Sequence, residues 1–219
     1  MLGLFAAFFL VLGGIGFFLG LPCAVGWLDG LPQWIEFPLG EPEGIAVDAA
    51  GRVYLGLQFY HRVQVYDAEG RFLRGFFVNS GGGVFRIRIN SEGRLDVAAT
   101  RGNSLTTYEL DGTEVAREVD PTHSRHYYSE FGEEMQRRAA APHGTEYHLV
   151  SGLLFPRVDQ VELSGDRRTV IRTDAARWFL KGPFPAWLFW GLGIAALIGL
   201  RALAGKRVAK EARNAEVSN

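Results

Sequence analysis

The stretch GIAVDAAGRVYLGLQFYHRVQVYDAEGRFLRGF, residues 44–76, decides the fold of this chain. Ile45-Ala46-Val47, Val53-Tyr54-Leu55, Val63-Gln64-Val65-Tyr66 and Phe72-Leu73 are short apolar or alternating runs. Two of the turns between them, Asp48-Ala49-Ala50-Gly51 and Asp67-Ala68-Glu69-Gly70, begin with an acid and end in glycine. An Asp side chain bonds nearby backbone N–H groups, and Gly takes positive φ without a steric cost. Runs of this length and alternation, punctuated this way, predict four consecutive β-strands.

The pattern recurs. Gly51 and Gly93 are 42 residues apart, and so are Gly70 and Gly112. That spacing lies within the range of β-repeat architectures, about 40–50 residues. Phe85–Ile89, Leu95-Asp96-Val97 and Leu105–Tyr108 give the second unit its strands. A fainter third unit starts at Gly144, with strands expected at Tyr147–Val150, Val158–Leu163 and Thr169–Ile171. A stray strand is expected near Trp34–Phe37. Residues 117–141 break the period and form an insertion, in which Ser129–Ala141 favours a short helix by propensity.

The first unit resembles an NHL repeat. The resemblance rests on Pro42-x-Gly44-Ile45-Ala46-Val47-Asp48, Gly51-x-Val53-Tyr54, His61-Arg62-Val63-Gln64-Val65-Tyr66-Asp67 and Gly70-x-Phe72-Leu73. It is clear over 42–76, weak over 83–115 and marginal over 144–173. It implies β-propeller blades, a scaffold used mainly for binding, with a minority of enzymes. Propellers close with about four to eight blades, and three units are visible here. An open stack, a ring completed by another chain, and a twisted sheet that has lost closure all fit that count. An open edge would need covering, which favours a partner.

Both ends of the chain are apolar. No charged side chain precedes Asp29, and none lies between Pro183 and Leu200. Each run approaches the roughly 20 residues that a helix needs to cross a bilayer. The first run lacks the basic start of a signal peptide and is longer than its apolar core, which favours a retained anchor. Ala24-Val25-Gly26 leaves cleavage open. Cys23 is the single cysteine, so no intramolecular disulfide forms, and Gly20-Leu21-Pro22 before it makes a poor lipidation signal.

Basic residues follow the second run: Arg201, Lys206, Arg207 and Lys210. They place the C-terminus in the cytoplasm. With two spans the N-terminus is cytoplasmic as well, and the middle of the chain lies in the periplasm of a bacterial inner membrane. Trp178, Trp187 and Trp190 before the second span, and Trp27 and Trp34 after the first, suit the two sides of an interfacial aromatic belt. Gly16 with Gly20, and Gly191, Ala195 and Gly199, place small residues at helical spacing, as helix-packing faces do.

The expected layout is a transmembrane helix over 1–27 and a periplasmic β-domain over 28–178. An interfacial segment and second transmembrane helix follow over 179–204, then a basic tail over 205–219. The fold class is thus an all-β extracytoplasmic domain, an incomplete propeller-like stack of about three NHL-type blades, flanked by two transmembrane α-helices.

The sequence has no nucleophile elbow, phosphate loop or dinucleotide fingerprint. His123 and His126 are half a metal site without a third ligand. Neither apolar run holds a His, Asp, Glu, Lys or Arg before Arg201, so neither offers the usual proton path or a histidine haem ligand. A net charge of -1 and a periplasmic location argue against nucleic acid. No cofactor, metal or small-molecule substrate is indicated. The expectation is a non-enzymatic accessory subunit that contacts lipid and other subunits of a membrane complex, with respiratory and photosynthetic assemblies as natural hosts. The alternative is an anchored module that binds or senses a glycan, peptide or envelope component.

Overall fold

The computed structural model describes residues 2–18, 22–23, 27–28, 30–40, 42–120, 126–133, 136–151, 155–173 and 183–217. The chain divides into two compact units, Met1–Phe18 with Pro183–Asn219, and Leu19–Gly182.

The larger unit is built from three four-stranded antiparallel sheets, each with its strands adjacent in chain order. The first contains β1 (Pro42–Val47), β2 (Val53–Leu57), β3 (Arg62–Tyr66) and β4 (Phe72–Phe77). The second contains β5 (Phe85–Ile89), β6 (Leu95–Ala99), β7 (Ser104–Tyr108) and β8 (Glu114–Val119). The third contains β9 (Arg138–Ala140), β10 (Glu146–Val150), β11 (Arg157–Val161) and β12 (Arg167–Arg172).

The turns are made by the residues that announced them. Asp48 Oδ1 accepts the N–H groups of Ala50 and Arg52, both at 2.9 Å. Asn90, 42 residues later, does the same for Glu92 and Arg94 at 3.0 Å. Gly51 and Gly93 close the two turns at φ +78° and +77°. His61 and Asn103 share a further equivalence: both precede a third strand in the left-handed region, at φ 49° and 41°.

The first sheet lies between the other two, so it is buried on both faces. Val53, Leu55, Leu57 and Tyr66 pack in one core with Tyr147, Leu149, Val158 and Ile171 of the third sheet. Tyr54, Val63, Val65 and Phe76 pack in a second core with Phe85, Ile87, Leu95, Val97 and Tyr108 of the second sheet. Alternation along β2 therefore sends odd positions to one core and even positions to the other. The last sheet in sequence adjoins the first, a propeller-like arrangement.

Trp34–Phe37 is not a strand. The segment is held by side chains instead. Gln64 accepts from Phe37 N–H at 2.6 Å and donates to Phe37 C=O at 3.0 Å, which fills the place of a neighbouring strand. Gly75 N–H on β4 donates to Gln33 C=O at 2.8 Å.

The insertion is smaller than expected and is not a helix over 129–141. Among its described residues the α-helix is the turn and a half of α2 (His126–Glu130). Arg138-Ala139-Ala140, read as helical, is instead the first strand of the third sheet, paired with Glu146, Tyr147 and His148. Alanine favours a helix by only a few tenths of a kcal/mol, and strand pairing outweighs it.

The smaller unit is an antiparallel helical hairpin of α1 (Leu2–Phe18) and α3 (Pro183–Val217). Gly3 lies near Leu200, Leu10 against Gly193, and Gly13 against Ala186 and Trp190. Phe9 and Phe189 stack at 5.8 Å. Within α3, Ala186–Lys206 is long and apolar enough to cross a membrane. The expectation of two spans is met for this helix only. The apolar stretch of α1 among the described residues, Gly3–Ile15, is shorter, so a second span is not shown. The basic tail does not start a new element, because α3 continues through it to Val217.

Candidate interaction surfaces

The helices of the hairpin meet each other through a face other than Gly191, Ala195 and Gly199. Among the described residues, Gly191 and Gly199 have no neighbour within 4 Å where a Cβ would stand, and Ala195 is exposed. The hairpin contact is made by Gly13 and Gly193 instead. A Cβ on Gly13 would meet Ala186 O at 2.9 Å, and one on Gly193 would meet Leu10 Cγ at 2.8 Å. Gly191 and Gly193 are two residues apart and so sit about 200° apart around the helix. Spacing alone could not say which face faces α1. Gly16 lies in α1, with its surroundings outside the described residues, and Gly20 lies outside them altogether.

Trp190, expected as an interfacial anchor, is part of that contact. Its indole N–H donates to Leu10 C=O at 3.1 Å, and its ring meets Phe18 and Trp187 edge-on. Trp187 is exposed, and Trp27 and Trp34 of the larger unit are the most exposed tryptophans among the described residues. Trp178 lies outside the described residues. Arg201 and Lys206 are exposed on α3. Arg207 and Lys210 continue that helix, with side chains outside the described set.

In the larger unit, the innermost segments of all three sheets converge. Gln136, just before β9, lies against Ile87 of β5. A Cβ on Gly44 of β1 would meet Gln136 Oε1 and Ile87 Cγ1 at 2.9 Å each. Side chains thus fill the point where the sheets meet.

The face of the second sheet away from its core is covered by the insertion. The Arg86 guanidinium lies 4.1 Å from the Tyr128 ring centre and donates to Phe131 C=O at 2.6 Å. Arg88 lies over the fully buried Phe131 ring at 4.2 Å and pairs with Asp96 at 3.3 Å. The corresponding face of the third sheet is polar. Buried Asp159 accepts from Thr169 Oγ1 at 2.7 Å, Arg157 Nε at 3.1 Å and Arg167 Nη2 at 2.7 Å. Burial alone raises the Asp159 carboxyl, but these donors outweigh it and hold it below the usual range.

His126 pairs with Glu130 at 3.2 Å, and His123 lies outside the described residues. His61 Nδ1 forms a short hydrogen bond with buried Ser80 Oγ, and burial keeps this imidazole neutral by lowering its pKa. Among the described residues, no three His, Cys, Asp or Glu side chains come together as a metal site would require.

No family model matches the chain. Protein brain tumor of Drosophila melanogaster is 25% identical over 106 residues, 48% of this chain and 9% of that protein. A catalytically inactive virginiamycin B lyase from Staphylococcus aureus, solved with quinupristin, aligns at a TM-score of 0.37 and 13% identity. The alignment covers 63% of this chain and 43% of the lyase. A gluconolactonase from Xanthomonas campestris aligns at a TM-score of 0.30 and 11% identity, over 63% of this chain and 49% of that one. The chain spans less than half the length of each. Likeness at this level gives the chain neither a family nor an activity. It does overturn the expectation that the protein is no enzyme. Two of the three matches are named as enzymes.

Proposed function

We propose that this chain is a membrane-held accessory subunit, in which a helical hairpin and NHL-type blades contact other subunits of a membrane complex. The reading is carried by the Gly191–Ala195–Gly199 face of α3. The hairpin uses its Gly13 and Gly193 face for internal packing and, among the described residues, leaves this second small-residue face uncovered. In a bilayer such faces let another helix backbone approach closely.

In this reading both helices cross the bacterial inner membrane. Gly3 and Leu200 share one end of the hairpin, next to exposed Arg201 and Lys206. By the positive-inside rule that end is cytoplasmic, and the blades lie in the periplasm. Purification in mild detergent followed by mass spectrometry tests it. The chain should migrate with a larger assembly, and Gly191→Leu or Ala195→Leu should release it with the β-unit still folded. A monodisperse free monomer would overturn the reading. The exposed Arg157 and Arg167 around Asp159 favour a second reading, an anchored binding module. That one predicts ligand capture by the isolated full chain on a glycan or peptide array.

A further inference from the structure

Two indoles of the larger unit, Trp27 and Trp34, are 78% and 75% accessible. Their mounts are fixed. On one side of Trp34, Gln33 C=O accepts from Gly75 N–H of β4 at 2.8 Å. On the other, Ile35 C=O accepts from Arg62 Nη2 of β3 at 3.0 Å. Trp27 N–H donates to Pro22 C=O at 2.9 Å, and the next residue, Leu28, packs against the first core. Trp34 therefore projects from backbone secured to the first sheet, and Trp27 from backbone beside the core that the first and third sheets share. Leu73 on β4, two residues from Gly75, is exposed as well.

We propose that Trp27 and Trp34 seat the β-unit on the lipid headgroup layer, so that this unit itself, and not only the helices, contacts the bilayer. The proposal rests on the membrane-held reading above. Trp27 is nine residues beyond the end of α1, a reach of at most about 32 Å of extended chain. Residues 22–40 contain Asp29 and Glu36 but no Lys or Arg, so nothing there recruits anionic lipid. The chemistry is that of amphipathic indoles in a headgroup zone, whatever its charge. Such a contact leaves the far faces of the second and third sheets to water or to other subunits.

The test uses the full chain in phosphatidylcholine nanodiscs, with and without lipids brominated just below the headgroup. Trp27→Phe, Trp34→Phe and the double variant isolate each indole's emission by difference. Brominated lipid should quench the Trp27 and Trp34 contributions, and high salt should leave that quenching unchanged. Unquenched, red-shifted contributions from both indoles, in a chain that stays with the membrane through a carbonate wash, overturn the proposal alone. Release of the chain by the wash overturns the membrane-held reading together with it.

Discussion

The side-chain amide of Gln136 closes on Ile87 from both sides: Oε1 accepts the Ile87 N–H at 3.0 Å, and Nε2 donates to the Ile87 C=O at 3.1 Å. A glutamine thus does for β5 what a neighbouring strand would do, at the point where β1 also passes. Both partners are buried. Gln136→Ala would leave an N–H and a C=O unpaired, at about 1–3 kcal/mol each. A fall of several kcal/mol is expected in urea unfolding of the full chain in mild detergent. A loss below about 1 kcal/mol would show that the clamp does not hold the sheets together.

Gln136→Glu adds a pH signature. A protonated carboxyl keeps both a donor and an acceptor for Ile87, whereas a carboxylate sets a charge against the Ile87 carbonyl. Burial raises the carboxyl pKa in the folded state. The variant should therefore have its full stability below about pH 4.3, the unfolded value. It should lose that stability as pH rises through the higher folded value. A flat difference from the parent between pH 4 and 8 would contradict the geometry.

His61 gives the opposite dependence. Burial lowers its pKa from the ordinary 6.5, so the unfolded chain binds the proton more readily. Its contribution is present above about pH 6.5 and is lost as pH falls towards the depressed folded value. Asn103 holds the equivalent left-handed position in the second sheet, and Asn tolerates that conformation. His61→Asn should keep the turn and flatten the stability profile between pH 7 and 5. An unchanged acid slope would place the sensitivity elsewhere.

Much of the larger unit was legible because its turns are local chemistry. Asp48, Asn90, Asp67 and the glycines that follow them act within four residues, so spacing exposed them. β9 was not legible. Arg138-Ala139-Ala140 has helical propensity and becomes a strand only through Glu146, Tyr147 and His148 across the sheet. The clamps were hidden for the same reason, since Gln64 and Gln136 act on Phe37 and Ile87, 27 and 49 residues away. In the hairpin, composition identified glycine packing, but choosing Gly193 over Gly191 required knowing which way α1 lies.

That choice can be tested directly. A side chain at Gly13 or Gly193 enters space held by Ala186, Trp190 and Leu10, while one at Gly191 enters open space. Gly13→Leu should part the helices and expose the Trp190 indole, read as a loss of disulfide cross-linking between cysteines placed at Gly3 and Leu200 in a Cys23→Ser background. Gly191→Leu should leave that cross-link intact even where it releases a partner. Equal loss in both variants would mean that the helices pack through the Gly191 face.

Arg62 offers the last test. Its side chain is fully buried between the Phe37 and Phe77 rings, each centred 4.8 Å from the guanidinium carbon. Nη2 reaches Ile35 C=O, but Nε and Nη1 have no acceptor among the described residues. Burial pushes the guanidinium down to about 10. At neutral pH the group is charged in both states, so the folded chain bears the desolvation cost in full. The ring contacts offset only about 0.5–2 kcal/mol of it. Methionine has nearly the same length, no charge and a sulfur that packs well on aromatic rings. Arg62→Met should therefore raise the urea midpoint at pH 7. The unfolded chain binds the Arg62 proton more readily above pH 10, so the parent gains stability there that the variant lacks, and the gap should narrow as pH rises. A lower midpoint for Arg62→Met would show that the Ile35 hydrogen bond and the two rings outweigh the buried charge.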